Sequence, residues 1–149
     1  VRHKRGKHQD DPVKEISAMQ YLGDYNRYVI GSVEVLQDDE NLYSITPYCD
    51  GGDLYTWTLN EFERNGTGRL PECQARIFFR QIIKGLYHLQ KKGVAHRDLS
   101  LENILVHKDH CVIIDFGMCL RLPYSDPFNN GCVADVSAGT TRRLVLTQG

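Results

Sequence analysis

The residues best able to do chemistry lie in one stretch, His96-Arg97-Asp98-Leu99-Ser100-Leu101-Glu102-Asn103, followed twelve residues after Asn103 by Asp115-Phe116-Gly117. Carboxylates and an amide can orient a proton or present oxygens to a hard cation. Asp and Asn also cap turns and end strands with no further role, so order and context must decide between the readings. The apolar runs Ile104 to Val106 and Cys111 to Ile114 flank the polar turn His107 to His110, which predicts a small hairpin joining the two strings. His107, His110 and Cys111 have the types of metal ligands. They lack a second half at zinc-like spacing, and a polar turn is the reading there.

Complete, in this order and joined by a hairpin, the two strings resemble the catalytic loop H-R-D-L-x-x-x-N and the metal loop D-F-G of eukaryotic-type protein kinases. The resemblance implies an enzyme that moves the γ-phosphate of ATP onto a serine or threonine hydroxyl of a protein. Such transfer needs an aimed nucleophile and neutralised phosphate charge more than covalent help. By this resemblance Asp98 accepts or orients the hydroxyl proton, Asp115 binds the Mg²⁺ that bridges the phosphates, and Asn103 holds a second Mg²⁺. His96 is expected to pack beneath Phe116 in a structural role. Arg97 resembles the arginine that pairs with a phosphorylated activation loop in many kinases, where Ser125, Ser137, Thr140, Thr141 and Thr147 are available.

Ser100 departs from the pattern, because most serine/threonine kinases carry there a lysine that meets the transferring phosphate. Leu101-Glu102-Asn103 stays closer to the serine/threonine form than to the tyrosine-kinase form. The serine keeps a second reading open, a pseudokinase or scaffold that binds nucleotide or a partner without transfer.

Several elements must position these residues. Asp11 as N-cap, Pro12 at the first helical position and Ile16, Met19 and Leu22 at helical spacing before Gly23 predict a short amphipathic helix. Alternation over Val29 to Leu36 and Leu42 to Tyr48, broken by the turn Gln37 to Asn41, predicts an antiparallel hairpin. A helix over Leu54 to Phe62 and a Gly-containing loop, Asn65 to Gly68, come next. A stronger helix has Ala75, Phe79, Ile82, Leu86 and Leu89 on one face, widened by Phe78 and Ile83, and is expected to be buried. Lys91 and Lys92 suit its negative end, and Gly93 supplies a left-handed stop. Beyond Gly117 periodicity is lost, and Leu122 to Gly149 reads as a long loop.

In the family these elements have positions. The first helix resembles αC, with Glu15 as the glutamate that pairs with the ATP-binding lysine and Met19 on the same face. Leu42 to Leu54 resembles the last small-lobe strand and the hinge. Thr46 is then the gatekeeper, the Pro47 carbonyl and Cys49 amide face the adenine, Asp53 reaches the ribose and Leu105 floors the adenine site. The implied fold is α+β, part of the two-lobed protein-kinase fold: 1–46 in the small lobe, 47–53 as hinge, 54–117 as catalytic core of the large lobe and 118–149 as activation-loop region.

Composition is ordinary for a soluble domain, with 41% hydrophobic and 25% charged residues. Eighteen Lys and Arg against nineteen Asp and Glu give a net charge of −1, which argues against a nucleic-acid partner; the basic start, Val1 to His8, reads as a solvated loop. Five cysteines without a CxxC pair suggest reduced thiols in the cytoplasm or nucleus. No apolar run reaches the length of a membrane span. The family's glycine-rich loop and strand-borne lysine are not found ahead of Glu15. The sequence reads as an internal fragment that is inactive alone.

Overall fold

The computed structural model describes residues 12–23, 26–66 and 70–122. Helix α1, Pro12–Leu22, starts where proline's fixed φ is already helical and its missing N–H is not needed. It buries Ala18, Met19 and Leu22, and ends at Gly23, which takes φ 70° and donates its N–H to the Met19 carbonyl. The expected cap Asp11 lies outside the described residues.

Strands β1, Glu34–Gln37, and β2, Leu42–Ile45, pair antiparallel with Glu34 opposite Ile45. Asp38 sets the turn, its Oδ1 accepting the N–H groups of Glu40 and Asn41 at 2.8 and 2.6 Å. Both strands are shorter than their alternation predicts. Val29 and Ile30 run instead beside Ile113, whose N–H donates to the Tyr28 carbonyl and whose carbonyl accepts from Ile30. From Thr46 to Cys49 the chain has no strand partner among the described residues, and Pro47 has no N–H to offer one.

Helix α2, Leu54–Asn65, passes the expected end at Phe62 because no breaker occurs before Gly66, which takes φ 66°. Helix α3, Glu72–Lys91, corrects the expected stripe: Phe78 is 3% exposed and Phe79 64%, with Ile83 also exposed. The buried arc passes through Phe78, Gly85 and Leu89. It is centred by Gly85, where the helix comes so close to Tyr28 and Ile113 that no side chain fits. Phe79, one residue after Phe78, points about 100° away from it. A Cβ built at Gly85 would lie 2.9 Å from the Tyr28 carbonyl oxygen and 2.8 Å from Ile113 Cδ1.

That contact gives a test in which two effects of opposite sign compete. Helix propensity favours Gly85→Ala by about 1 kcal/mol, whereas overpacking opposes it by about 1–3 kcal/mol. One of the crowded atoms is backbone, so net destabilisation is expected in urea unfolding of the full-length protein. A stabilised variant would show that α3 can shift away.

After α3, Gly93 takes φ 64°, as expected of a left-handed stop. Strand β3, Val94–Ala95, pairs with β6, Leu120–Arg121, a pairing too short for any periodicity to announce. Strands β4, Ile104–His107, and β5, His110–Ile113, form the expected hairpin. Gln81 of α3 clamps its far end, donating to the Asp109 carbonyl and accepting the Cys111 N–H.

Two apolar clusters hold these pieces. One gathers α1, Val29, Ile30, Leu89, Val112, Ile113 and Phe116; the other packs Leu54 and Trp57 of α2 and Phe78 of α3 on Ile104 and Val106. Trp57 and Phe78 meet edge to face at 5.2 Å. Burial pushes the Cys111 thiol up to about 12. The architecture is α+β with two-stranded antiparallel sheets, as expected.

Candidate active site

The segment between β3 and β4 and the segment after β5 are tied together at Ile114. Its N–H donates to the Asn103 carbonyl at 3.0 Å, and its carbonyl accepts from His96 Nε2 at 2.8 Å. His96 Nδ1 accepts the Asp98 N–H at 3.3 Å, so the ring carries its proton on Nε2. The same ring stands 5.1 Å from that of Phe116, the packing expected from sequence. With Ile114 fixed on both sides, the next residue, Asp115, is set in direction.

Asn103 also reaches back with its side chain, donating Nδ2 to the Asp98 carbonyl at 2.9 Å and to Asp98 Oδ2 at 3.2 Å. Asn103 thereby links Asp98 to Ile114, the residue before Asp115, and so touches both segments. Backbone strain marks the same place: Arg97 takes φ 72° and Asp115 φ 62°, left-handed values that side chains disfavour. Asp115 Oδ1 accepts the Gly117 N–H at 3.1 Å, a local bond that supports its turn.

Beside these loops lies a cleft of about 580 Å³. Glu15 and Met19 of α1, Thr46 and Pro47 after β2, Leu105 of β4 and Asp115 are among the residues that line it. Four of the expected nucleotide-site residues, Glu15, Thr46, Pro47 and Leu105, thus share one cavity with Asp115, an expected metal-site residue. Asp98 and Asn103 are not part of its lining. The chain from Thr46 to Cys49 runs past the cleft with its Pro47 carbonyl and Cys49 N–H unpaired to other backbone among the described residues. The Cys49 side chain belongs to a smaller cavity of about 160 Å³, with Val112 and His110. Burial raises that thiol above its ordinary value.

Asp53 is also outside the cleft lining. It caps α2, its Oδ1 accepting the Thr56 N–H at 2.7 Å and its Oδ2 the Thr56 hydroxyl at 2.9 Å. The Thr56 N–H bond in particular holds its carboxyl below the ordinary range.

Sequence reasoning missed Asp50, whose Oδ1 is reached by His107 Nδ1 at 3.1 Å and the Lys108 N–H at 3.3 Å. Gly51 and Gly52 continue that seam, exchanging backbone bonds with Val106 at 2.9 and 2.8 Å. Only the Gly-Gly pair signalled it: a Cβ on Gly51 would stand 2.6 Å from the Val106 carbonyl oxygen. The expected phosphorylation positions from Ser125 to Thr147, and Val1 to His8, lie outside the described residues.

Among the described residues, no helix is long and apolar enough to cross a membrane. Comparison with known proteins agrees with the geometry. The family model described as "Protein kinase domain" matches residues 1–139. The chain is similar to the maternal embryonic leucine zipper kinase of Danio rerio, 37% identical over 108 residues, which are 72% of this chain and 15% of that protein. It is also similar to the Xenopus laevis protein of that name, 34% identical over 108 residues, again 72% and 15% of the two chains. The hormonally up-regulated neu tumor-associated kinase of Mus musculus is 38% identical over 104 residues, 67% of this chain and 14% of that protein. The matched region is thus about 15% of the length of these curated relatives. With the family model covering nearly all of it, and its two loops gathered as that family's are expected to be, the chain belongs to the protein kinase domain family.

Proposed function

We propose that the protein carrying this chain transfers the γ-phosphate of ATP to serine or threonine hydroxyls of proteins. The observation that carries the reading is Asn103, whose side chain holds Asp98 while its backbone holds Ile114 ahead of Asp115. Asp98 orients or accepts the proton of the substrate hydroxyl. Adenine lies along the hinge, offered the Pro47 carbonyl and Cys49 N–H, which pair with no other backbone among the described residues, with Thr46 and Leu105 also lining its cleft. Asp53 meets the ribose with lone pairs its cap leaves over, and Glu15 orients the ATP-binding lysine of the family from α1. Residues 1–46, 47–53, 54–117 and 118–149 serve as small-lobe part, hinge, catalytic core and activation-loop region.

The donor set suits Mg²⁺. Asn103 spends its Nδ2 hydrogens on Asp98, which leaves Oδ1 as an oxygen ligand, and Asp115 supplies a carboxylate. When bound there, Mg²⁺ would neutralise charge on the phosphates. Asp115→Ala in the full-length protein is therefore expected to abolish the Mg²⁺ dependence of nucleotide binding. A fluorescent ATP analogue titrated with and without Mg²⁺ checks this, and an unchanged metal dependence would refute the site.

Ser100 favours a second reading, nucleotide binding without transfer, because a serine cannot supply a lysine's charge to the moving phosphate. Transfer assays on the full-length protein separate the two. Free thiols at Cys49, Cys73, Cys111 and Cys119 support a reducing compartment, cytoplasm or nucleus. The net charge of −1 disfavours nucleic acid as a partner. The 149 residues alone are expected to be inactive, since the glycine-rich loop and the lysine that Glu15 would orient do not occur ahead of it.

A further inference from the structure

Between β2 and α2 the chain is fastened along β4 one residue after another. Asp53 bridges antiparallel to Leu105, Gly51 and Gly52 exchange backbone bonds with Val106, and Asp50 Oδ1 is reached by His107 Nδ1 and the Lys108 N–H. The fastening begins at Asp50. Ahead of it Thr46 to Cys49 pair with no other backbone among the described residues, and the next fixed point back is Ile45, whose carbonyl accepts the Val33 N–H at 2.8 Å. The stretch that runs past the cleft therefore hangs between Ile45 and Asp50.

The attachments at its far end differ in kind. Gly51 and Gly52 are held through backbone alone, and glycine's freedom in φ and ψ leaves the direction of the preceding chain weakly fixed. Asp50 adds a side chain. Its two bonds, at 3.1 and 3.3 Å, fix how the peptide that joins it to Cys49 enters the seam. An exposed Asp–His pair alone contributes little. The backbone donor sets this one apart: Asp38 and Asp53 accept N–H groups from their own turns, whereas Asp50 accepts one from 58 positions away. Lys108, which donates it, takes φ 54° in the turn between β4 and β5, a left-handed value that side chains disfavour. That N–H, first among several causes, holds the Asp50 carboxyl below the ordinary range, so the acceptor is charged at neutral pH.

We propose that Asp50 is a positioning residue for nucleotide binding, its carboxylate holding the Cys49 N–H in place through the clamp on His107 and Lys108, an inference that rests on the nucleotide reading of the cleft. Leu105, which lines that cleft, stands on β4 two residues before His107, so one strand carries both part of the lining and the anchor. Loosening the clamp frees the Cys49 N–H to move, and affinity falls because the site is less preorganised. Turnover of bound nucleotide is spared. Asp98, Asn103 and the residue ahead of Asp115 are tied through Ile114 and Asn103, with no contact from Asp50.

The test measures nucleotide affinity and turnover separately in the full-length protein. Asp50→Ala is expected to weaken binding of a fluorescent ATP analogue about fivefold and to raise the KM for ATP in step, with kcat within about twofold of wild type. Asp50→Asn keeps an oxygen that accepts both N–H groups and is expected to bring affinity back to within about twofold. Adding His107→Ala to Asp50→Ala costs little more, because the two side chains act through one bond. The Asp50 side chain is 57% exposed, so its variants are expected to fold. Should Asp50→Ala lose its thermal transition, His107→Ala alone replaces it, with a loss of about threefold expected. Equal affinity of the folded variant and wild type overturns the inference, as does an asparagine variant as weak as the alanine one, or a kcat that falls as far as affinity. A wild-type protein that binds no nucleotide overturns the nucleotide reading itself and the inference with it. In a protein that binds without transferring, the affinity comparison alone decides.

Discussion

Asp98→Asn in the full-length protein is expected to lower phosphoryl transfer by about 10² to 10⁴, the range for a positioned proton acceptor, while ATP affinity changes little. The substitution is nearly isosteric. An amide oxygen at position 98 can still accept from Asn103 Nδ2, so the bonds that gather the two loops survive and only the basic oxygen is lost. Asp98 is absent from the lining of the cleft, which is why nucleotide binding is expected to persist. Steady-state transfer of labelled phosphate to a generic protein substrate, alongside nucleotide titration, measures both quantities. Equal turnover in variant and wild type would remove Asp98 from the mechanism. The same assay on the 149 residues alone should give no signal above background, and clear activity there would show that the elements taken as essential are dispensable.

Phe116→Ala is expected to cost the full-length protein about 3–5 kcal/mol, the usual range for emptying a buried aromatic position. Phe116 is 0% exposed and shares a cluster with Ala18, Met19 and Leu22 of α1, Val94 of β3 and Ile113 of β5. A total stability of about 5–15 kcal/mol means that such a loss removes a large part of what holds the fold. Catalysis should suffer in what remains folded, because His96 loses the ring it stands against and with it part of its hold on the Ile114 carbonyl. Phe116→Leu, which keeps most of the volume, should lose much less. Calorimetric unfolding of both variants decides the matter, and a loss below about 1 kcal/mol for the alanine variant would mean that the cavity collapses freely.

Helix α1 was legible because burial of one face leaves a period in the sequence, and the β4–β5 hairpin because two short apolar runs flank a polar turn, β5 burying Cys111, Val112 and Ile113 alike. The three residues gathered at Ile114 were legible for another reason: their types and order match a known arrangement, although nothing in the string reveals that Asn103 links the loops through both side chain and backbone. Where reading failed, contacts between distant segments decided the outcome. Phe78 and Phe79 stand about 100° apart and both belong to the broad apolar stripe, until Gly85 fixes which side of α3 faces Ile113. Val29 looks like the start of a strand with Leu42 to Tyr48, yet its backbone goes to β5. The bond from His107 to Asp50 joins residues of ordinary surface type, 57 positions apart. Strand β6 is two residues long, below the length at which alternation has meaning.

The backbone from Thr46 to Cys49, which pairs with no other backbone among the described residues, has a consequence for how copies of this protein meet one another. Open backbone beside a hairpin is the kind of edge onto which a second chain can add a strand, and proteins that aggregate often do so there. Pro47 interrupts it. With no N–H at that position, an incoming strand would find one rung of its ladder missing, whereas the adenine proposed above would need only the Pro47 carbonyl and the Cys49 N–H. On that proposal the asymmetry would work as a filter on size and shape: a small planar molecule would be satisfied by two contacts, and a polypeptide, which needs an unbroken series, would be disfavoured.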